Sequence, residues 1–197
     1  MEITLVRHGK PNIQGGAWVA PAQMRDWVAS FNRAGIVSER PPATIVSRAQ
    51  AAATIVCSSL SRSMESAQLL APNRSILVED VFREAEMPCS SWRAPKLPAS
   101  VWSLLFRTGW ICGLSADAES LATAKARARA AAHRLISLAR DSGSVLLVGH
   151  GIMNMLIARQ LLVLGAVGPT RPRARYWNCS VYRAGRYFTA GVSPRNT

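Results

Sequence analysis

The chain has 197 residues, 49% of them hydrophobic and 18% charged, with a formal net charge of +13. That length is expected to form one domain over 1–197 with a substantial core, and the composition excludes a disordered or collagen-like chain. The excess charge, nearly all arginine, favours acidic partners such as phosphorylated metabolites or nucleic acid; yet alanine and arginine abound together even where no site is apparent, so composition bias accounts for most of it.

The chain enters a strand at once, without the layout of a signal peptide. Ile3, Leu5 and Val6 form its apolar body, Arg7 and His8 follow at its carboxyl end, and Gly9 is the turn. Segment 10–16 is a loop by its proline and glycines. A helix is expected over Ala17–Ala34, with Trp18, Ala22, Trp27, Phe31 and Ala34 along one face and Gly35 as its stop. A short helix over Ala43–Ala53 precedes a β-branched strand ending at Cys57. Ser59 or Ser61 is expected to cap the next helix, which runs to about Leu70 and has Met64, Ala67, Leu69 and Leu70 for burial. Arg62 falls in its first turn, where backbone N–H groups and the helix dipole favour an anion.

Ser75–Val78 reads as a short strand, and Val81–Glu86 follows it. Residues 88–98 are a proline-rich loop before a short helix over Ala99–Phe106. The longest helical pattern, Ala116–Asp141, has an inward stripe of Leu121, Ala124, Ala128, Ala131, Leu135 and Leu138. His133 lies in it and reads as a surface residue. Ser144–Gly149 is an apolar strand delivering His150 and Gly151, and a helix over Ile152–Leu164 follows. It is interrupted by Asn154, Arg159 and Gln160, so no membrane span is expected. A basic loop over Gly165–Arg175 leads to a strand around Trp177–Tyr182, a hairpin into Tyr187–Thr189 and a frayed tail from Val192. Cys57, Cys89, Cys112 and Cys179 include no Cys-x-x-Cys pair, so reduced thiols and a cytoplasmic location are expected.

Two histidines and two arginines are therefore each presented at the end of an apparent strand, in a chain with three histidines in all. Arg7-His8-Gly9, Ser58-x-x-x-Arg62, an acidic residue and His150-Gly151 stand in an order that resembles the histidine phosphatase (phosphoglycerate mutase-like) superfamily. The resemblance covers most of the chain. It implies an α/β fold, a three-layer α/β/α sandwich around a mostly parallel sheet. It also implies a phosphatase that works through a phosphohistidine on His8.

Arg7, Arg62 and a protonated His150 would hold the phosphate, with Gln14 and Gly151 as further substrate contacts. Glu84, in the family's Leu-x-Glu register with Phe82 for leucine, would protonate the leaving oxygen; Glu86 is its competitor. The scheme calls for no metal and no cofactor, and the substrate would be a phosphorylated small molecule or a phosphoprotein. The first loop departs from the mutase pattern: Lys10, Pro11, Ile13 and Gln14 replace Glu, Ser/Thr, Trp and Asn. That departure favours hydrolysis over a phosphoglycerate mutase-type transfer. The alternatives are a phosphohistidine-protein phosphatase and a non-catalytic anion- or nucleic-acid-binding module; no membrane partner is expected.

Overall fold

The computed structural model describes residues 1–13 and 16–185. In chain order its elements are β1 (Glu2–Arg7), β2 (Trp18–Val19), α1 (Met24–Arg33), α2 (Ala43–Ala51), β3 (Thr54–Cys57), α3 (Ser61–Leu70), β4 (Leu77–Val78), β5 (Leu97–Pro98), α4 (Ala99–Ile111), α5 (Leu121–Ser142), β6 (Ser144–Gly149), α6 (Gly151–Val163), β7 (Ala166–Val167) and β8 (Cys179–Ala184). Among the described residues the main sheet runs β4-β3-β6-β1-β8-β7. Its first four strands are mutually parallel, and β8 and β7 each run antiparallel to the preceding neighbour. β1 and β6 lie side by side in register, with Arg7 opposite Gly149. Their carboxyl ends therefore open at one place, where such sheets keep their crevices.

The near-continuous apolar runs of β1, β3 and β6 are explained by burial on both faces. Strand alternation divides them. Ile3, Leu5, Val56, Val145 and Leu147 pack against Ala124, Ala128, Ala131 and Leu135 of α5 and Leu156 and Ile157 of α6. Val6, Ile55, Cys57, Leu146 and Val148 face the other way, onto Ile45 and Ala49 of α2 and Ala67 and Leu70 of α3. The result is the expected α/β/α sandwich. Each of the larger buried aliphatic side chains contributes about 1.5–3 kcal/mol. The buried residues of α5 are mostly alanine (Ala124, Ala128, Ala131, Ala132 and Ala139), which lets this long helix lie close on the sheet, while Leu121 and Leu138 of the expected stripe are only partly buried.

Several local expectations give way to tertiary structure. The helix expected from Ala17 begins only at Met24. Trp18 and Val19 instead pair with Pro98 and Leu97 as a two-stranded ribbon, and Pro21 opens a 3-10 turn. Neither Ser59 nor Ser61 caps α3; Leu60 holds the cap position without a side-chain bond. Met64 and Leu69 are 38% and 48% exposed, while Ala67 and Leu70 are buried. The Ala116 start fails because Ala116 itself has φ 46, outside helical geometry, and α5 begins where the Ser120 hydroxyl accepts from the Thr123 N–H. α4 runs beyond Phe106 to Ile111. Phe82 belongs to a 3-10 turn, Asp80–Phe82, not to a strand. Gln14, the hairpin into Tyr187–Thr189 and the tail from Val192 lie outside the described residues.

Candidate active site

His8 follows β1 and is 2% exposed. Its Nδ1 lies 2.7 Å from the carbonyl oxygen of Gly9. A carbonyl oxygen can only accept, so Nδ1 carries the proton and Nε2 presents the lone pair. Burial first, then the nearby His150, lower the His8 pKa to about 2; the Gly9 bond opposes them, and Arg62 and Arg7 lower it further by smaller amounts. The imidazole is neutral at any physiological pH.

The turn that aims it is held from two sides. The Gly9 N–H donates to Ser66 Oγ at 2.9 Å, and Ser66 in turn donates to the Arg62 carbonyl at 2.6 Å. The Trp177 indole lies against Gly9 so closely that a Cβ there would stand 2.4 Å from Trp177 Cζ2. Only glycine fits this turn.

His150 follows β6, the neighbouring strand, and is fully buried, with its ring centroid 5.0 Å from that of His8. Its Nε2 lies 2.6 Å from Ser58 Oγ. The Leu60 N–H donates to the same hydroxyl at 3.3 Å. The hydroxyl proton is then directed at Nε2, which places the imidazole proton on Nδ1, an atom buried without a partner. Burial first, then Arg62 and Arg7, hold the His150 pKa well below its ordinary value. In this structure the imidazole is therefore neutral and offers a hydrogen bond, not a charge, whereas the sequence reading expects a protonated His150 on the phosphate.

Charge comes from the arginines. Arg62, in the first turn of α3, is 1% exposed, and burial lowers its pKa to about 10, which leaves it charged. Its Nη1 donates to the Phe31 carbonyl at 3.1 Å and Asn32 Oδ1 at 3.4 Å, and its guanidinium lies 4.6 Å from the centroid of the Phe31 ring. Arg7 donates to the Ala174 carbonyl and lies 4.3 Å from the Tyr176 ring centroid. The Nε atoms of both arginines are buried without partners, like Nδ1 of His150. Three buried donors on residues gathered about His8 thus lack partners among the described residues, a demand that a bound oxyanion would meet. The fourth orphan, Asn154 Oδ1, is an acceptor lying against Gly149 and belongs to the strand end.

Glu84 sits at the entrance of α6, where its carboxylate accepts from the N–H groups of Ile152 at 3.2 Å and Met153 at 2.9 Å. Gly151 lies beside it and against Arg7, whose Cζ would be 3.5 Å from a Cβ there. Glu86 is engaged elsewhere: its carboxylate accepts from the Glu119 N–H at 2.7 Å, and Glu119 accepts from the Glu86 N–H at 3.1 Å. Arg7, Arg62, Glu84 and Gly151 line one cavity of about 690 Å³. Among the described residues no three metal-ligating side chains gather, and no helix is long and apolar enough to cross a membrane.

The family profile of the histidine phosphatase superfamily (branch 1) matches residues 3–188, nearly the whole chain. The chain belongs to that superfamily. No curated protein sequence matches this histidine phosphatase. Solved structures do. A putative alpha-ribazole-5'-P phosphatase from Escherichia coli K-12 superposes with a TM-score of 0.58 at 14% identity, over 98% of this chain and 99% of that one. A mycobacterial glucosyl-3-phosphoglycerate phosphatase gives 0.54 at 19% identity, over 82% and 79%. A phosphoserine phosphatase from Entamoeba histolytica, in complex with 3-phosphoglyceric acid, gives 0.55 at 14%, over 95% and 98%. Likenesses this distant establish the shared fold.

The residues of this histidine phosphatase expected from sequence, His8, Arg7, Arg62, Glu84, His150 and Gly151, come together; Gln14 lies outside the described residues. Sequence reasoning missed Ser58, although it opens the Ser-x-x-x-Arg motif. It also missed Tyr176, whose ring lies 5.6 Å from His8, and Arg127, which donates to the carbonyls of Val81 and Arg83 and so holds the segment that carries Glu84.

Proposed function

We propose that this histidine phosphatase hydrolyses phosphate monoesters of small molecules through a phosphohistidine on His8. The observation that carries the reading is the His8 ring, fixed by Gly9 with Nε2 bare and set among unpartnered donors of Arg7, Arg62 and His150.

The phosphate oxygens take the two guanidinium forks and the His150 Nδ1–H. His8 Nε2 attacks phosphorus in line with the ester oxygen, forming the N–P bond as the O–P bond breaks. The leaving alkoxide takes a proton from Glu84; water then attacks the phosphohistidine, giving a proton back to the Glu84 carboxylate as the N–P bond breaks, which returns inorganic phosphate and free His8. A dianionic phosphate beside His150 offsets the repulsion of the arginines and draws a proton onto that ring, so the charge missing from the empty pocket arrives with the substrate. A cavity of about 690 Å³ with a buried nucleophile supports a small-molecule substrate over a phosphoprotein. Hydrolysis is favoured over mutase transfer by the altered first loop, because a mutase must keep water from its phosphoenzyme.

The test is acid-labile trapping. Quenching the enzyme during turnover of a ³²P-labelled monoester leaves label on the protein, lost in acid and kept in alkali, and His8→Ala carries none. Label that survives in His8→Ala overturns the assignment. Isomerisation of 3-phosphoglycerate faster than release of phosphate overturns hydrolysis as the reaction.

A further inference from the structure

Arg7, Arg62, Glu84 and Gly151 of the proposed phosphate grip make up only part of the cavity lining; the rest must receive the alcohol that leaves. Its walls are of two kinds. One is a strip of α1, where Trp27, Val28 and Phe31 line the cavity with half-buried side chains. The Trp27 and Phe31 rings are stacked, 5.3 Å between centroids and 20° between planes. They form a flat apolar surface fixed before any ligand arrives, and it leads to the phosphate grip, since Phe31 also holds Arg62 through its ring and its carbonyl. Met87, Ile152 and Met155 add apolar lining, the thioethers adaptable in shape.

The polar lining is already engaged. Arg127 is paired with Glu119 and donates 2.7 Å to the Arg83 carbonyl. Arg107 donates to the carbonyls of Ala85 and Glu86. Ser103 donates to the Ala99 carbonyl at 2.8 Å, Glu86 accepts from the Glu119 N–H, and Asp80 takes the Ser59 hydroxyl. A leaving group dense in hydroxyls or charges would have to break these bonds or stay unsatisfied. A flat apolar one would find surface that nothing else covers.

We infer that the cavity beyond the phosphate is a subsite for a bulky aromatic group, with Trp27 as its main contact, so that the substrate class is the phosphate monoester of an aryl or aryl-bearing alcohol. This deepens the proposed function and rests on it.

The test is calorimetric binding of 1-naphthylmethylphosphonate, methylphosphonate and inorganic phosphate, none of which turns over. The aryl phosphonate binds the wild-type protein about 10- to 100-fold tighter than methylphosphonate. Trp27→Ala removes about tenfold of that advantage. Trp27→Leu, which keeps apolar volume and protects the fold, removes about threefold, and inorganic phosphate binds all three proteins within about a factor of two. An aryl advantage that is absent in the wild type, or undiminished in both variants, overturns the subsite while leaving the phosphate grip intact. Failure of inorganic phosphate and both phosphonates to bind overturns the phosphate pocket itself, and the proposed function with it.

Discussion

Two neighbouring strands of this protein end alike and are put to different use. β1 ends in Arg7-His8-Gly9 and β6 in Gly149-His150-Gly151, side by side and parallel. Each presents an imidazole from the carboxyl end of a buried apolar run. After His8 the chain turns into a loop, and the Gly9 carbonyl takes the Nδ1 proton, leaving Nε2 as a nucleophile. After His150 the chain enters α6, and Ser58 occupies Nε2, leaving an Nδ1–H as a donor. The ring is the same and so is the burial. In the proposed mechanism the atom that each neighbour occupies decides which one attacks and which one stabilises.

The strongest way to break this comparison is to remove each ring in turn. His8→Ala is expected to lower kcat/KM by about 10⁴-fold or more, since the proposed phosphoenzyme forms on His8, with the circular dichroism unchanged. His150→Ala is expected to lose about 10²- to 10³-fold, the usual loss for one donor to developing negative charge. A larger loss at 150 than at 8 would exchange the roles. Glu84→Gln is expected to slow an alkyl phosphate about 10²-fold and p-nitrophenyl phosphate far less, because nitrophenolate leaves without a proton. Glu86→Gln, whose carboxylate is tied to Glu119, should change both only slightly; the reverse pattern would move the acid to Glu86. Ser58→Ala, which frees His150 Nε2, should lower kcat by about tenfold through loss of one buried hydrogen bond. An unchanged kcat would show that Ser58 does not set the tautomer.

Acid sensitivity sharpens the same comparison. Both rings are held below their ordinary value of 6.5 in the folded chain, His8 down to about 2. Below pH 6.5 the unfolded chain protonates them and the folded chain does not. The unfolded state therefore binds more protons, and the stability present above pH 6.5 is lost on acidification. The slope approaches about 1.4 kcal/mol per pH unit for each histidine. Urea denaturation at pH 7 and pH 5.5 should show it, with a shallower dependence in His8→Gln. Greater stability at pH 5.5 would contradict the burial of neutral rings.

The sheet and the ends that matter were legible because an apolar run stopping at Arg-His-Gly or Gly-His-Gly is a local pattern. Arg62 was legible as a first-turn residue of α3. What escaped depended on distant pairing or on burial. Trp18 and Val19 look helical until Leu97 and Pro98 arrive to pair with them. Trp27 and Phe31 read as an ordinary buried helix face, yet their outer surface lines the cavity. The lowered basicity of His150 could not be read from the motif, because it is set by complete burial and by two arginines brought close only by folding. Ser58 stood in the motif, but its role depends on a 2.6 Å contact across the sheet.

The order of the sheet sets when the site can exist during synthesis. β1 lies between β6 and β8, whose residues are 144–149 and 179–184, so the strand carrying Arg7 leaves the ribosome long before either neighbour is made. Its apolar Ile3-Thr4-Leu5-Val6 then has both hydrogen-bonding edges open, the kind of segment that chaperones shield and that pairs wrongly when crowded. Trp177, which presses on Gly9, is made only just before β8. A nascent chain halted before Trp177 would carry His8 and His150 and still lack the strand and the indole that hold the nucleophile's turn, so activity should appear only once residues 177–184 have been made.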